Sequence, residues 1–249
     1  MRVTDGDWAA ESYCYDNCGD RISDDRRSYV WDRGGLLVWA GGAEYEYDYR
    51  GMRYKKTCGN KVTEYFFDGE RLLAEKSGGR LTHYFYDESG ICACETDGVV
   101  YRFVKDVCGN VAVLESQGKT LARYAYDAEG NCTVFSPDGT ENTNADFIGN
   151  VNPIRWKGFY FDSESGLYYA GGRYYDPFIG GFLDSGKLAA ERKAQIESNG
   201  VISCGKEACG RESRARAESS QESKSVMRND MNFVFAASGG MTGELLMSA

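Results

Sequence analysis

A repeated unit of alternating aromatic residues, followed by aspartate and within four further residues by glycine, dominates the sequence, with a degenerate copy at Tyr101, Phe103 and Asp106. Starting at Asp48, the aspartate of the unit recurs after 20, 19, 19 and 21 residues, at Asp68, Asp87, Asp106 and Asp127. Alternate residues of a β-strand point to the same face of a sheet. Each unit therefore predicts a strand with one aromatic face.

The aspartate and glycine of each unit predict a turn after that strand. An aspartate side chain accepts hydrogen bonds from the backbone just after it, and glycine adopts the left-handed conformation that tight turns need. A second short run that suits a strand follows, for example at 71–75 and 110–114. Each unit thus predicts a β-hairpin. The repeat residues assigned to this structural motif are Tyr47, Asp48, Gly51, Phe67, Asp68, Tyr86, Asp87, Gly90, Tyr126, Asp127 and Gly130.

The fold class follows from what a hairpin needs in order to be stable. An isolated hairpin is marginal in water, so successive hairpins must stack to bury their aromatic faces, which leaves sheet edges to protect. We expect a mainly β protein in which tandem antiparallel β-hairpins form part of a curved sheet or shell, with possible self-association through the edges. The content of 18 Tyr and 31 Gly against 3 Pro agrees with this fold class.

The composition changes near Gly186. All 18 Tyr and all 4 Trp precede this residue. Residues 1–186 hold 20 basic and 30 acidic side chains, whereas 187–249 hold 9 and 8. The change predicts a domain boundary.

Three segments are predicted on this basis. The repeats occupy 1–150, a distinct motif occupies 151–186, and a variable tail occupies 187–249. Residues 187–198 are rich in helix formers and predict a short helix, and the polar, Ser-rich sequence beyond them predicts disorder.

Several classes of function conflict with the composition. The formal net charge of −9 argues against binding nucleic acid, which needs a basic face. No apolar run is long enough to span a bilayer, and no signal peptide is visible at the N-terminus, which predicts synthesis in the cytoplasm and leaves the final location open. The single His and the absence of C-x-x-C argue against a metal site. No residue is assigned a catalytic, cofactor-binding or metal-binding role.

Residues 158–183 read GFYFDSESGLYYAGGRYYDPFIGGFL. This segment closely resembles the core-associated motif that ends the repeat array in RHS (rearrangement hotspot) and YD-repeat proteins, and the upstream units extend the resemblance over 13–183. The residues of this segment that carry the motif are Asp162, Gly166, Arg173, Tyr174, Tyr175, Asp176 and Pro177.

The resemblance implies a function. In that family the repeats form a hollow β-sheet shell, the core motif closes one end, and the variable polypeptide that follows is a toxin or effector. Members serve in bacterial competition or toxin complexes and are often secreted or at the cell surface. We therefore expect a structural scaffold, a fragment of a shell that encapsulates or presents a C-terminal effector, without enzymatic activity. Its expected partners are upstream repeats or a cargo polypeptide.

The family also cleaves itself with a pair of aspartates. Arg173 matches an arginine of the family's motif, but Gly186 stands where the first catalytic aspartate is expected. Asp184 lies two residues earlier, a displacement of about 6–7 Å along a strand. The second aspartate element has no counterpart, so self-cleavage is not expected.

Two alternatives remain open at this stage. In the first alternative, residues 187–249 are themselves a small toxin enzyme, such as a nuclease or deaminase. The segment contains no His, Pro or C-x-x-C, which argues against this alternative. In the second, the aromatic sheet binds carbohydrate at a cell surface.

Overall fold

The computed structural model describes residues 12–186 of the chain. Within this range, β-strands form three antiparallel sheets. The first sheet is a two-stranded hairpin of β1 (Tyr13–Tyr15) and β2 (Arg21–Asp24).

The second sheet contains twelve strands that pair in the order of the sequence, each with the next along the chain. This arrangement confirms the predicted mainly β fold of tandem antiparallel hairpins. Its strands are β3 (Tyr29–Trp31), β4 (Leu37–Ala40), β5 (Ala43–Tyr47), β6 (Arg53–Cys58), β7 (Lys61–Asp68), β8 (Arg71–Ser77), β9 (Arg80–Asp87), β10 (Gly90–Thr96), β11 (Val99–Lys105), β12 (Val111–Ser116), β13 (Lys119–Tyr126) and β14 (Cys132–Phe135).

One face of this sheet, here called the inner face, carries the aromatic residue that stands three positions before each repeat aspartate. These residues bury most of their surface because a strand turns alternate side chains to the same side. The exposed fractions are 3% for Tyr45, 4% for Tyr65, 5% for Tyr84, 6% for Phe103 and 7% for Tyr124.

The repeat aspartates open two kinds of turn. In the longer kind, the Asp106 carboxylate accepts hydrogen bonds from the backbone N–H groups of Cys108 (2.8 Å) and Asn110 (2.9 Å). The Gly109 N–H then donates to the carbonyl of Asp106 at 3.1 Å. In the shorter kind, only two residues separate Asp68 from its partner in the next strand. Both kinds return the chain antiparallel to the strand before.

The third sheet, here called the terminal sheet, consists of β15 (Tyr160–Asp162), β16 (Leu167–Ala170), β17 (Arg173–Asp176) and β18 (Gly181–Phe182). A short helix α1 (Ile148–Val151) and a 3₁₀ turn (Trp156–Gly158) precede it.

The terminal sheet packs on the inner face of the twelve-stranded sheet. Leu167 and Tyr174 share one buried cluster with Leu37 and Tyr45. The approach is so close that a Cβ on Gly41 would lie 2.5 Å from the carbonyl oxygen of Glu164. Glycine is therefore the residue that this contact requires.

The N-terminal hairpin holds the segment that follows β18. The Arg21 N–H donates to the carbonyl of Leu183 at 2.9 Å. Ser185 donates through its N–H to the Asp20 carboxylate (3.2 Å) and through its hydroxyl to the Cys18 carbonyl (3.0 Å).

The predicted helix at 187–198 and the predicted disorder after it lie outside the described residues. No helix in the part of the chain that the structure describes is long and apolar enough to cross a membrane.

Candidate functional site

The repeat residues singled out in the sequence are spread over separate hairpins. Tyr47 and Gly130 also form hydrogen bonds with the terminal sheet: the hydroxyls of Tyr47 and Tyr174 are 2.8 Å apart, and the Gly130 carbonyl accepts from the Tyr168 hydroxyl at 3.0 Å. Three tyrosines donate from their hydroxyls to the carbonyl of an earlier strand: Tyr47 to Leu37, Tyr86 to Leu72 at 3.1 Å, and Tyr126 to Val111 at 2.8 Å. These residues tie neighbouring hairpins together and do not form one site.

The residues of the terminal motif lie close to one another in the terminal sheet. Asp162, Tyr174, Tyr175 and Asp176 are buried. Gly166, with a φ of +70°, ends the turn between β15 and β16. Two charged clusters form around the two buried aspartates of this sheet.

The first cluster centres on Asp162, which is fully buried together with Arg53 of β6. The Arg53 guanidinium donates to one carboxylate oxygen, and the Lys56 ammonium donates to the other at 2.8 Å. Burial alone would raise the pKa of Asp162, but the two cations hold it below its ordinary value. The cluster is therefore an ionised salt bridge between the two sheets.

Five tyrosine rings surround the Arg53 guanidinium, with ring centroids 4.4 to 5.8 Å from its Cζ atom. Aromatic faces attract a cation most strongly where water is excluded. The rings come from both sheets and are those of Tyr45, Tyr65, Tyr160, Tyr169 and Tyr174. The cage thus contributes to the contact between the sheets as well as to the burial of the charge.

Acidic side chains extend this cluster. Glu164 accepts from Lys56 at 3.1 Å, and Glu75 of β8 accepts from the Tyr160 hydroxyl at 2.7 Å. Burial raises the pKa of the Glu75 carboxyl.

Sequence reasoning missed Arg53, Lys56 and Glu75, although a signal for the two cations existed. Arg53 and Lys56 stand five and eight residues after Asp48, and Val111 and Leu114 stand at the same positions after Asp106. All four are buried. Basic residues at positions where another repeat carries aliphatic residues predict an acidic partner across the core.

The second cluster centres on Asp176, the motif residue that stands directly before Pro177. The Asp176 carboxylate accepts from the Phe178 N–H, at 3.0 Å. It also binds the Arg27 guanidinium, a partner 149 positions away that the sequence did not indicate. Burial raises the pKa of Asp176 despite the charge of Arg27.

Arg173 pairs with Asp184 on the segment after β18. The Arg173 Nε atom lies 2.8 Å and 3.2 Å from the two carboxylate oxygens of Asp184. The Gly186 N–H also donates to that carboxylate, at 2.8 Å. Asp184 is therefore bound in a salt bridge to the arginine that matches the family's motif.

No group of three or more His, Cys, Asp or Glu side chains within residues 12–186 is arranged to hold a metal ion. The charged clusters of this region join elements of the fold to one another.

The architecture defines the class of the protein. An open sheet of consecutive antiparallel hairpins, with aspartate turns and a Tyr-rich terminal sheet on its inner face, is RHS-like. No model of a known protein family matches the sequence.

Named relatives agree with that class. The chain is similar to the tRNA3(Ser)-specific nuclease WapA of Bacillus spizizenii, with 36% identity over 203 residues, or 76% of this chain. It is also similar to the tRNA nuclease WapA of Bacillus subtilis strain 168, with 35% identity over 203 residues and 76% of this chain. The chain spans 8% of the length of each of these relatives.

Solved structures show the same fold. The crystal structure of TcdB2-TccC3 matches with a TM-score of 0.53 at 16% identity, over 70% of this chain and 10% of that chain. The structure of TcdB2-TccC3-Cdc42 matches with a TM-score of 0.54 at 16% identity, over 69% of this chain and 9% of that chain.

Two expectations from the sequence are wrong in the light of the relatives. The chain was expected to be a structural scaffold and not an enzyme, whereas the relatives are named nucleases. The error has a physical origin. The hairpin pattern that dominates the sequence reports on folding and not on catalysis, and the sequence lacks the His and C-x-x-C patterns that would indicate an active site. The alternative of a toxin enzyme in 187–249 agrees better with the relatives.

Proposed function

We propose that this chain is part of a nuclease toxin that acts on tRNA, and that residues 187–249 carry the nuclease activity. The observation that carries the proposal is the identity of 35–36% with proteins named as tRNA nucleases. Because the aligned 76% of the chain is far longer than 187–249, the likeness includes much of the hairpin part. The proposal therefore has two parts. The whole chain belongs to a nuclease toxin, and residues 187–249 carry the activity.

The distribution of charge supports that assignment. The net charge of −9, which argued against nucleic acid, comes from residues 1–186, where acidic side chains outnumber basic ones by 30 to 20. Residues 187–249 hold 9 basic against 8 acidic side chains. A polyanion such as tRNA is repelled less by this segment than by the hairpins.

A catalytic histidine is excluded in this segment, because residues 187–249 contain no His. Carboxylates remain as general bases, and Lys or Arg remain to stabilise the charge on the phosphate. The nuclease is therefore a carboxylate-dependent one in this proposal.

The proposal also assigns 151–186 as the RHS repeat-associated core and 1–150 as YD repeats. The salt bridges of Asp162 and Asp176 give two motif residues a defined role there. Further repeat hairpins or an effector polypeptide are the proposed partners.

The test is cleavage of purified total tRNA by the full chain, with ribosomal RNA and single-stranded DNA as comparison substrates. One variant replaces all eight acidic residues of 187–249 by their amides. The matched control replaces as many exposed hairpin carboxylates, Glu64, Glu70 and Glu88 among them. We expect specific tRNA cleavage that the first variant loses and the control retains. No cleavage of tRNA by the full chain, or an equal loss in both variants, would refute the proposal.

A further inference from the structure

A cleft of about 260 Å³ lies between the turn after β2 and the terminal sheet. Arg26 and Arg27 line one side of it, and Asp176 and Phe178 line the other. Phe161 adds an aromatic wall. Arg53, Lys56 and Asp162 do not line the cleft, and the cleft has no part in the proposed nuclease.

The charges that face this cleft do not cancel. The Arg27 guanidinium is bound within the protein, because it donates to the Ser165 carbonyl and to the Asp176 carboxylate. The Arg26 guanidinium is 3.9 Å from Asp176, beyond hydrogen-bond distance, and 42% of its side chain is exposed. Two guanidinium groups thus share one carboxylate, and the residues that line the cleft carry one excess positive charge.

Two further carboxylates, Asp24 and Asp25, line a smaller neighbouring pocket together with Arg26 and accept hydrogen bonds there. Asp24 accepts from the backbone N–H groups of Arg26 (2.9 Å) and Arg27 (2.8 Å). Asp25 accepts from the hydroxyl of Ser12 at 2.6 Å. Neither of these acids lines the cleft.

Arg26 is also in contact with an aromatic ring of the cleft. Its guanidinium lies over the Phe178 ring, with the Cζ atom 3.1 Å from the ring centroid. A guanidinium in contact with the face of an aromatic ring can still donate N–H bonds to the paired oxygens of a carboxylate or a phosphate.

We propose that the cleft binds a small organic anion. Its phosphate or carboxylate group is held by Arg26, and a flat apolar part lies against Phe161. The volume is below the range of about 300–1,000 Å³ that is usual for ligand pockets, so the ligand is about the size of a single ring with one acidic group.

The experiment titrates the full chain with phenyl phosphate, benzoate and inorganic phosphate, and follows binding by NMR and calorimetry. We expect saturable binding of at least one ring-bearing anion near about 1 mM, which is within reach of a ligand of this size. Inorganic phosphate is expected to bind more weakly, because it lacks the flat part.

The Arg26→Met variant is expected to weaken binding at least tenfold, because it keeps the bulk of the side chain and removes its charge. Arg80→Met is the matched control, since Arg80 is an exposed arginine paired with Asp97 on another hairpin. Circular dichroism spectra of both variants are compared with that of the parent chain as the check that the fold is kept.

Each outcome decides the proposal. Binding of phenyl phosphate alone, of benzoate alone, or of both supports it and shows which acidic group is recognised. Absence of saturable binding, inorganic phosphate binding as tightly as phenyl phosphate, or equal binding by the Arg26→Met variant overturns it.

Discussion

Replacing Arg53 with methionine tests whether the caged salt bridge holds the terminal sheet in place. Methionine fills much of the same volume among the tyrosine rings but carries no charge. The variant leaves the fully buried Asp162 carboxylate with Lys56 as its remaining cation. The perturbation therefore removes one partner of a buried ion pair while largely preserving the packing.

The expected loss in free energy of unfolding is about 3–5 kcal/mol, the usual cost of leaving one buried charge without its partner. Loss of the five cation–π contacts adds to this cost, and the remaining bond from Lys56 reduces it. In the double variant with Asp162→Asn, the unpaired charge is gone. We expect the double variant to lose less than the sum of the single variants, by about 2 kcal/mol.

Urea unfolding of the full chain, followed by tyrosine and tryptophan fluorescence, measures these differences. Lys55→Met is the control, since Lys55 lies in the same strand but pairs with the more exposed Glu46 at 2.7 Å. Its expected cost is below about 1 kcal/mol. A cost for Arg53→Met as small as that of the control, or strict additivity in the double variant, would show that the cluster does not bind the sheets together.

Three further predictions concern pH, close packing and turns. Burial alone would raise the pKa of Asp162, but its cationic neighbours depress it, so its contribution to stability is present above its ordinary value of 3.8 and is lost as the pH falls through the lower folded value. Acid titration of unfolding should therefore be less steep for Asp162→Asn. Gly130→Ala should cost about 2–4 kcal/mol, because the new Cβ would lie 2.7 Å from an indole carbon at a φ of +95°. Gly139→Ala, at a φ of +88° with open space around it, should cost about 1 kcal/mol, and equal melting temperatures for the two variants would contradict this account. Asp127→Ala should cost about 1–2 kcal/mol in chemical unfolding, because Asp127 accepts two backbone N–H bonds, at 3.1 and 2.8 Å. Asp68→Ala, which removes no such bonds, should stay within about 0.5 kcal/mol of the parent chain.

The hairpins could be predicted from the sequence because they depend on local chemistry. Alternation of Tyr45 with Tyr47 sets a strand face, and the glycine and aspartate that follow set the turn within a few residues. The strand order follows from this, since each hairpin pairs with the next along the chain.

The contacts between sheets could not be predicted in the same way. Arg53 and Asp162 are 109 positions apart, and Arg27 and Asp176 are 149 apart. No local rule relates such residues, and each pair is set by how the terminal sheet packs on the inner face. The nuclease activity of the relatives appeared in the sequence analysis only as an alternative, because the hairpin patterns report on folding and residues 187–249 contain no His, Pro or C-x-x-C.

The hydrogen bonds between the N-terminal hairpin and residues 183–185 affect how the chain resists force. The bonds of Arg21 and Ser185 join the start of the described chain directly to its end. A pull on the polypeptide beyond residue 186 is therefore resisted first by this junction and by the Arg173–Asp184 pair. When the two ends of the described chain are pulled apart, the force passes through this junction before it loads the stack of hairpins between them.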